Sequence, residues 1–209
     1  MLHSSRGKVF LYNENKDIFN VFDDFFTDRS LQMFGSDNLY YMIKYAREIN
    51  PDIMIFNIHD KPERTFSPVG HFEENIKTQY PIIVTRTDDA PFKIHPCVAH
   101  YLRMPRDNQK FGEITESYSL GGKKHKVMLM GSYNEQTTPL KRQFENENIS
   151  YFEVHNEIAA EIYLSKNTPQ IVCVENTEPY KTARIRLRHN RVFYVDRQQD
   201  ITEIKKFLH

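Results

Sequence analysis

The sequence contains no tryptophan, only two cysteines and seven glycines, and it carries no net charge. Cys97 and Cys173 form no CxxC pair and are too few for a disulfide framework, so we expect two reduced, buried thiols. Because reduced thiols are typical of the cytosol, the expected location is cytoplasmic. The 28 basic side chains equal the 28 acidic ones, whereas a protein that binds nucleic acid over its whole surface needs a positive excess.

Long apolar runs and the common catalytic signatures are absent as well. No apolar run approaches the roughly 18 residues of a transmembrane helix, and the first residues lack the apolar core of a secretory signal. GxGxxG, Walker-type loops, GxSxG and HExxH do not occur. None of the nine histidines has HxxxH or HxH spacing, and Pro96 separates His95 from His100. We therefore expect no membrane association, no enzymatic activity, no metal site and no cofactor.

Short apolar runs alternate with segments of helical periodicity over residues 9–119. The strongest strand signals are residues 53–56 and 82–85, and phenylalanines recur at helical spacing between residues 19 and 26. Strands that alternate with helices predict parallel βαβ units with right-handed crossovers. A polar segment follows, and the pattern then restarts at Val127.

The restart indicates an internal repeat of roughly 115 residues, a period too long for a solenoid. We predict a first domain over residues 1–119, a linker over 120–126 and a second domain over 127–209. Strand candidates in the second domain are residues 127–130, 151–154, 171–174, 184–188 and 192–195.

Proline and polar residues next to the predicted strands of the first half give it a resemblance to a known family. Pro51-Asp52 and Pro81 each precede a strand, polar residues end the first strand, and Tyr101-Leu102-Arg103-Met104-Pro105 follows the last. With these features, residues 8–119 resemble a response-regulator receiver domain, which has Tyr-Leu-x-Lys-Pro at the last of these places. The resemblance implies an α/β, flavodoxin-like, doubly wound parallel sheet with strand order 2-1-3-4-5.

Receiver chemistry depends on residues at the ends of these strands. An acidic pair after the first strand holds a divalent cation, an aspartate after the third accepts the phosphoryl group, and a hydroxyl and a lysine contact its oxygens. Here the acidic pair corresponds to Asn13 and Glu14, and the phosphoacceptor corresponds to Asn57. The hydroxyl corresponds to Arg86 and the lysine to Met104. A one-residue slip would move the hydroxyl position to Thr85 or Thr87. An amide is a poor nucleophile, and methionine cannot pair with a phosphoryl oxygen. The resemblance therefore implies a degenerate pseudo-receiver that neither binds magnesium strongly nor accepts phosphate.

The second half resembles a more divergent receiver. Residues 169–175 repeat the third-strand pattern, so that Glu175 falls at the phosphoacceptor position, while the acidic pair falls on Gly131 and Ser132. Glu175 either mimics a phosphorylated aspartate or is an ordinary carboxylate at the end of a strand. Residues 176–191 are too few for the usual helix, strand and helix, which predicts a truncated second domain.

The segment 184–191 is the clearest charge motif. At strand periodicity, Arg184, Arg186 and Arg188 lie on one face, and Arg191 follows. Such a basic stripe would bind phosphates or an acidic protein surface. Alternatively, its charge would protect an edge strand from aggregation.

The resemblance implies a phosphorylation-independent regulator or adaptor of two-component signalling that binds protein partners. Receivers commonly dimerise through the face formed by their fourth helix, fifth strand and fifth helix, which corresponds to the region near residues 92–119. The two domains would therefore pair with each other or across a homodimer. Tyr40, Tyr41 and Tyr45 are candidates for a partner surface. The alternative is a nucleic-acid-associated regulator that uses the basic stripe and whose binding weakens steeply with salt.

Overall fold

The computed structural model describes residues 7–15, 18–58, 67–76, 80–120, 125–131, 138–175, 192–195, 204–206 and 208. The chain divides into two compact units, Met1–Gly121 and Gly122–His209. Each unit contains a parallel β-sheet of its own. Within the described residues, no helix has the length and apolar character needed to cross a membrane.

The first unit alternates strands and helices around a five-stranded sheet. Its elements are β1 (Gly7–Asn13), α1 (Phe19–Thr27), β2 (Leu31–Ser36), α2 (Leu39–Ile49), β3 (Ile53–Asn57), α3 (Pro68–Ile76), β4 (Ile82–Arg86), β5 (Val98–Arg103) and α4 (Asn108–Ser119). The strand order is β2-β1-β3-β4-β5, and every pair is parallel. This order confirms the predicted doubly wound, flavodoxin-like fold.

The central strands form where the sequence is continuously apolar. Every residue of β3 and β4 is buried, as expected for strands that are covered by helices on both faces of a parallel sheet. Asn38 caps the N-terminus of α2, and its Oδ1 accepts hydrogen bonds from the Tyr40 and Tyr41 amides. The same helix ends at Asn50 in a left-handed conformation with φ of 47°.

The helices cover the two faces of the sheet in pairs. The side chains of α2 and α3 share one apolar cluster with Phe10 and Tyr12 of β1. On the other face, α1 and α4 meet through Phe22 and Phe26, whose rings lie 5.9 and 5.7 Å from that of Phe111. The predicted aromatic face of α1 therefore packs into the core, and the sheet lies between two helical layers.

The connection between β4 and β5, residues 87–97, departs from the receiver pattern because it forms turns without a helix. Pro91 and Pro96 remove two amide donors, which disfavours helical hydrogen bonding across this segment. Residues 92–119, for which the resemblance implies a dimerisation face, comprise the end of this connection, β5 and α4, and dimerisation stays a prediction.

The second unit repeats the first four positions of this topology. Its elements are β6 (Val127–Met130), α5 (Thr138–Asn146), β7 (Tyr151–Val154), α6 (Glu157–Lys166), β8 (Ile171–Glu175) and β9 (Val192–Val195). The parallel order β7-β6-β8-β9 matches β2-β1-β3-β4 of the first unit. The second sheet is smaller, as predicted, and the strand predicted at residues 184–188 lies outside the described residues.

Candidate functional site

Three polar side chains come together where β1, β3 and β4 end. The sheet register places Asn13 beside Asn57 and Asn57 beside Thr85. All three are buried, with exposures of 0%, 1% and 0% respectively. Carboxyl ends of parallel strands lie at one edge of a sheet, which is where doubly wound folds place their ligands. We call this group the amide site.

Hydrogen bonds fix the orientation of the two amides. Thr85 Oγ1 donates to Asn57 Oδ1 at 2.9 Å, and Asn13 Oδ1 accepts from the Asn15 amide at 3.3 Å. The Nδ2 atoms of Asn13 and Asn57 have no hydrogen-bond partner among the described residues. The amide site therefore presents buried donors where a cation site would present carboxylate oxygens.

The structure also locates the other residues that the resemblance assigned to the pocket. Glu14 accepts a hydrogen bond from the Tyr12 hydroxyl through Oε1 at 3.1 Å. Met104 is half-buried after β5, and its amide donates to the Arg86 carbonyl at 2.7 Å. The only carboxylate expected at this edge, that of Glu14, is thus engaged by a neighbouring hydroxyl.

The hydroxyl that contacts Asn57 belongs to Thr85, whereas the position-by-position assignment was Arg86. Successive side chains of a strand point to opposite faces, so Thr85 and Arg86 cannot both face the amide. Arg86 instead makes an ion pair of 2.7 Å with Asp88 and donates through Nη1 to the Pro91 carbonyl. This buried guanidinium therefore anchors the β4–β5 connection.

Asp52 does not supply the missing carboxylate. It precedes β3 at the opposite end from Asn57, and its Oδ2 accepts from the Lys8 amide at 2.7 Å. In chemical terms, the amide site offers hydrogen bonds but no carboxylate oxygen.

In the second unit, Glu175 is the last residue of β8 and pairs in register with Val195. Its side chain lies outside the described residues, as do Ser132 and the arginines of the basic stripe, Arg184, Arg186, Arg188 and Arg191. Gly131 follows β6, and its amide donates to the Val154 carbonyl at 3.1 Å. The role of Glu175 and the function of the stripe stay predictions.

A second group of side chains was missed from the sequence. Glu73 of α3 lies beside His95 and Cys97 of the β4–β5 connection, at the amino end of β5. His95 Nδ1 is 3.0 Å from Cys97 Sγ and 3.4 Å from Glu73 Oε2. Burial, and then the nearby Glu73 carboxylate, raise the pKa of the Cys97 thiol to about 12. The sequence signal for this group is the pair His95-x-Cys97, which is neither a spacing between histidines nor a CxxC pair.

Comparison with known proteins finds solved structures that are similar to this chain. No protein-family model matches the sequence, and no curated protein matches it. The N-terminal domain of a response regulator receiver protein from Methanoculleus marisnigri JR1 is 12% identical, with a TM-score of 0.39, covering 54% of this chain and 95% of that chain.

Two further structures, a probable and a putative two-component system response regulator/GGDEF domain protein, are each 10% identical, with TM-scores of 0.44 and 0.42. The matches cover 96% of this chain and 96% of each of those chains. The fold assignment itself follows from the strand order and register described above.

Proposed function

We propose that this protein is a regulator related to two-component response regulators that acts by binding protein partners, without phosphorylation and without an enzymatic step. The observation that carries the proposal is the 2.9 Å hydrogen bond from Thr85 Oγ1 to Asn57 Oδ1. Asn57 ends β3, the strand whose last residue accepts the phosphoryl group in receivers. At this position the hydroxyl contacts a carboxamide instead of a phosphorylated carboxylate.

The donor set of the amide site supports an inert pocket. Phosphoryl transfer to a side chain needs a nucleophilic oxygen and a cation to neutralise the developing charge. Asn13 and Asn57 are uncharged, and their amide nitrogens donate hydrogen bonds rather than coordinate cations. The two amides therefore supply neither a carboxylate nucleophile nor the negative charge that would hold a cation.

A tyrosine surface on α2 supports the partner-binding part of the proposal. Tyr40 is 70% exposed and Tyr41 is 49% exposed, and the Tyr41 ring stacks on Tyr45 at 6.2 Å. Tyrosine is enriched in protein–protein interfaces because its ring buries a large area and its hydroxyl keeps a hydrogen bond. This surface gives the regulator a place to bind a protein.

Incubation with Mg²⁺ and acetyl phosphate, or with beryllofluoride, tests the inert pocket. We expect the intact mass to stay unchanged, because no described carboxylate lies at the end of β3. A receiver with a complete acidic pocket, treated in parallel, is the positive control. A phosphoryl adduct mapped to Asp52, Asp60 or Glu175 would refute the proposal.

Affinity capture from the native cell tests the binding role. We expect the wild-type chain to retain the same proteins with and without a phosphodonor, and a Tyr40→Ser, Tyr41→Ser variant to lose them. Val21→Ser on α1 is the matched control, since Val21 is 68% exposed on a different helix. Capture that requires the phosphodonor would contradict a phosphorylation-independent role.

A further inference from the structure

Glu73, His95 and Cys97 offer three ligand atoms that surround one point. One carboxylate oxygen, the imidazole Nδ1 and the thiol Sγ all lie within 4.8 Å of one another. They come from two elements that are distant in sequence, the helix α3 and the β4–β5 connection. We call this group the Glu-His-Cys cluster.

One distance within the cluster equals an edge of a metal coordination polyhedron, a second is shorter, and the third is at most 4.8 Å. Tetrahedral zinc bonds of about 2.3 Å to sulfur and about 2.0–2.1 Å to nitrogen and oxygen separate the ligand atoms by roughly 3.3–3.6 Å. His95 Nδ1 lies 3.4 Å from Glu73 Oε2 and 3.0 Å from Cys97 Sγ. The nitrogen–oxygen distance already suits zinc, whereas side-chain rotation has to lengthen the nitrogen–sulfur distance before the ion fits.

The geometry does not fit a catalytic relay. In a nucleophile–histidine–acid relay, one ring nitrogen contacts the nucleophile and the other contacts the acid. Here the same nitrogen, Nδ1, faces both Cys97 and Glu73. Cys97 is also only 7% exposed, which leaves little access for a substrate. Convergence of three donors on one point is the arrangement of a metal site.

The backbone that carries the histidine is held by the neighbouring strand. The Tyr101 hydroxyl of β5 accepts from the His95 amide and lies 3.3 Å from the His95 carbonyl and 3.4 Å from the Lys93 carbonyl. Cys97 directly precedes β5, so both residues are anchored to the sheet. A rigid scaffold of this kind keeps ligand atoms in place before the metal binds.

Burial and ligand type indicate which metal the cluster suits. Cys97 is buried, whereas the side chains of His95 and Glu73 are 27% and 38% exposed. The cluster thus has a closed side, and an open side from which a metal and a water ligand can enter. Sulfur and imidazole ligands suit zinc, whereas magnesium and calcium prefer sites made only of oxygen.

We propose that Glu73, His95 and Cys97 bind a zinc ion, with water as the fourth ligand, and that this ion ties the β4–β5 connection to α3. The site lies at the amino end of β5, the opposite edge of the parallel sheet from Asn57. It does not depend on the proposed signalling role, and it gives the helix-free connection a cross-link in place of helical hydrogen bonds.

Cobalt titration of the full chain tests the site, because tetrahedral Co²⁺ with a thiolate ligand has visible d–d bands and a near-ultraviolet charge-transfer band. After treatment with a chelator, we expect both bands to grow to an equimolar endpoint and to disappear when Zn²⁺ is added. Zinc should also slow amide hydrogen exchange in residues 87–97. A wild-type chain without the thiolate band would overturn the proposal.

Variants identify the ligands. We expect Cys97→Ser to abolish the charge-transfer band, and Glu73→Gln and His95→Gln to weaken zinc affinity by about tenfold or more. Glu74→Gln, an exposed neighbour on α3, and Cys173→Ser in the second unit are matched controls that should keep the wild-type affinity. Circular dichroism checks the folding of each variant, and Glu73→Gln, a conservative change at a half-exposed position, tests the site if Cys97→Ser fails to fold. Unchanged affinity in Glu73→Gln and His95→Gln would contradict the assignment.

Discussion

At the scale of single residues, an amide at the end of β3 decides the chemistry of this sheet edge. Asn57 occupies nearly the same volume as aspartate and is buried at the end of β3. The amide carries no negative charge that would attract a cation, and its donor, Nδ2, is buried without a partner among the described residues. Thr85 supports this amide through the hydrogen bond to Oδ1. A hydrogen bond from the neighbouring strand thus fixes the orientation of this amide.

The Thr85 hydroxyl is expected to contribute measurably to stability. Thr85→Val keeps the shape of the side chain but removes the donor to the buried Asn57 Oδ1, which should lower the free energy of unfolding by about 1–3 kcal/mol. Urea denaturation followed by circular dichroism measures the difference. Thr27→Val at the exposed end of α1 should stay within about 0.5 kcal/mol of the wild type. Equal effects of the two substitutions would show that the hydrogen bond contributes nothing to stability.

At the scale of elements, the helices are held by the faces that they bury. In α1, Phe22 and Phe26 face α4, while Val21 on the opposite side is 68% exposed. The β4–β5 connection is held differently, because it has no helical hydrogen bonds. Polar side chains anchor it instead: Arg86 to Asp88, and Arg103 to the carbonyls of Asp88 and Ala90. These contacts explain how a segment without a helix keeps a defined path.

Truncation of a side chain on the buried face of α1 should reduce stability far more than truncation on its exposed face. Phe26 is fully buried, so Phe26→Ala should destabilise the protein by about 3–5 kcal/mol through lost burial and the cavity left behind. Val21→Ala on the exposed face should change stability by less than about 0.5 kcal/mol. Thermal unfolding of both variants gives the comparison. A strong loss of stability in Val21→Ala would mean that this face of α1 is covered.

At the scale of the whole molecule, each of the two units has a sheet and an apolar core cluster of its own. The first core includes Met54 and Phe72, and the second includes Phe144 and Leu129. The second sheet repeats the order of the first four strands of the first sheet. A doubled topology with separate cores indicates two units that are stabilised separately.

Separate stabilisation predicts that a core mutation acts on its own unit. Phe144 is fully buried in the second core, so Phe144→Ala should speed amide hydrogen exchange in β6 and β8 and leave β1 and β3 unchanged. Phe26→Ala should have the reverse effect. Hydrogen exchange of the full chain, read by mass spectrometry, distinguishes the units. Equal acceleration in both sheets would show that the two units unfold together.

The sequence by itself determined the local features of this protein. Apolar runs marked β3 and β4, proline and asparagine marked their boundaries, and the resemblance to receivers implied the strand order that the sheet shows. The amide at the end of β3 was also visible, because it is a property of a single residue, Asn57.

Only the tertiary structure decided which side chains meet. Thr85, rather than Arg86, faces Asn57 because strand pairing sets the register, and a shift by one residue turns every side chain to the other face. Glu73 meets His95 and Cys97 because α3 packs beside the β4–β5 connection. Such contacts join residues that are distant along the chain, so they depend on how elements pack and not on local periodicity.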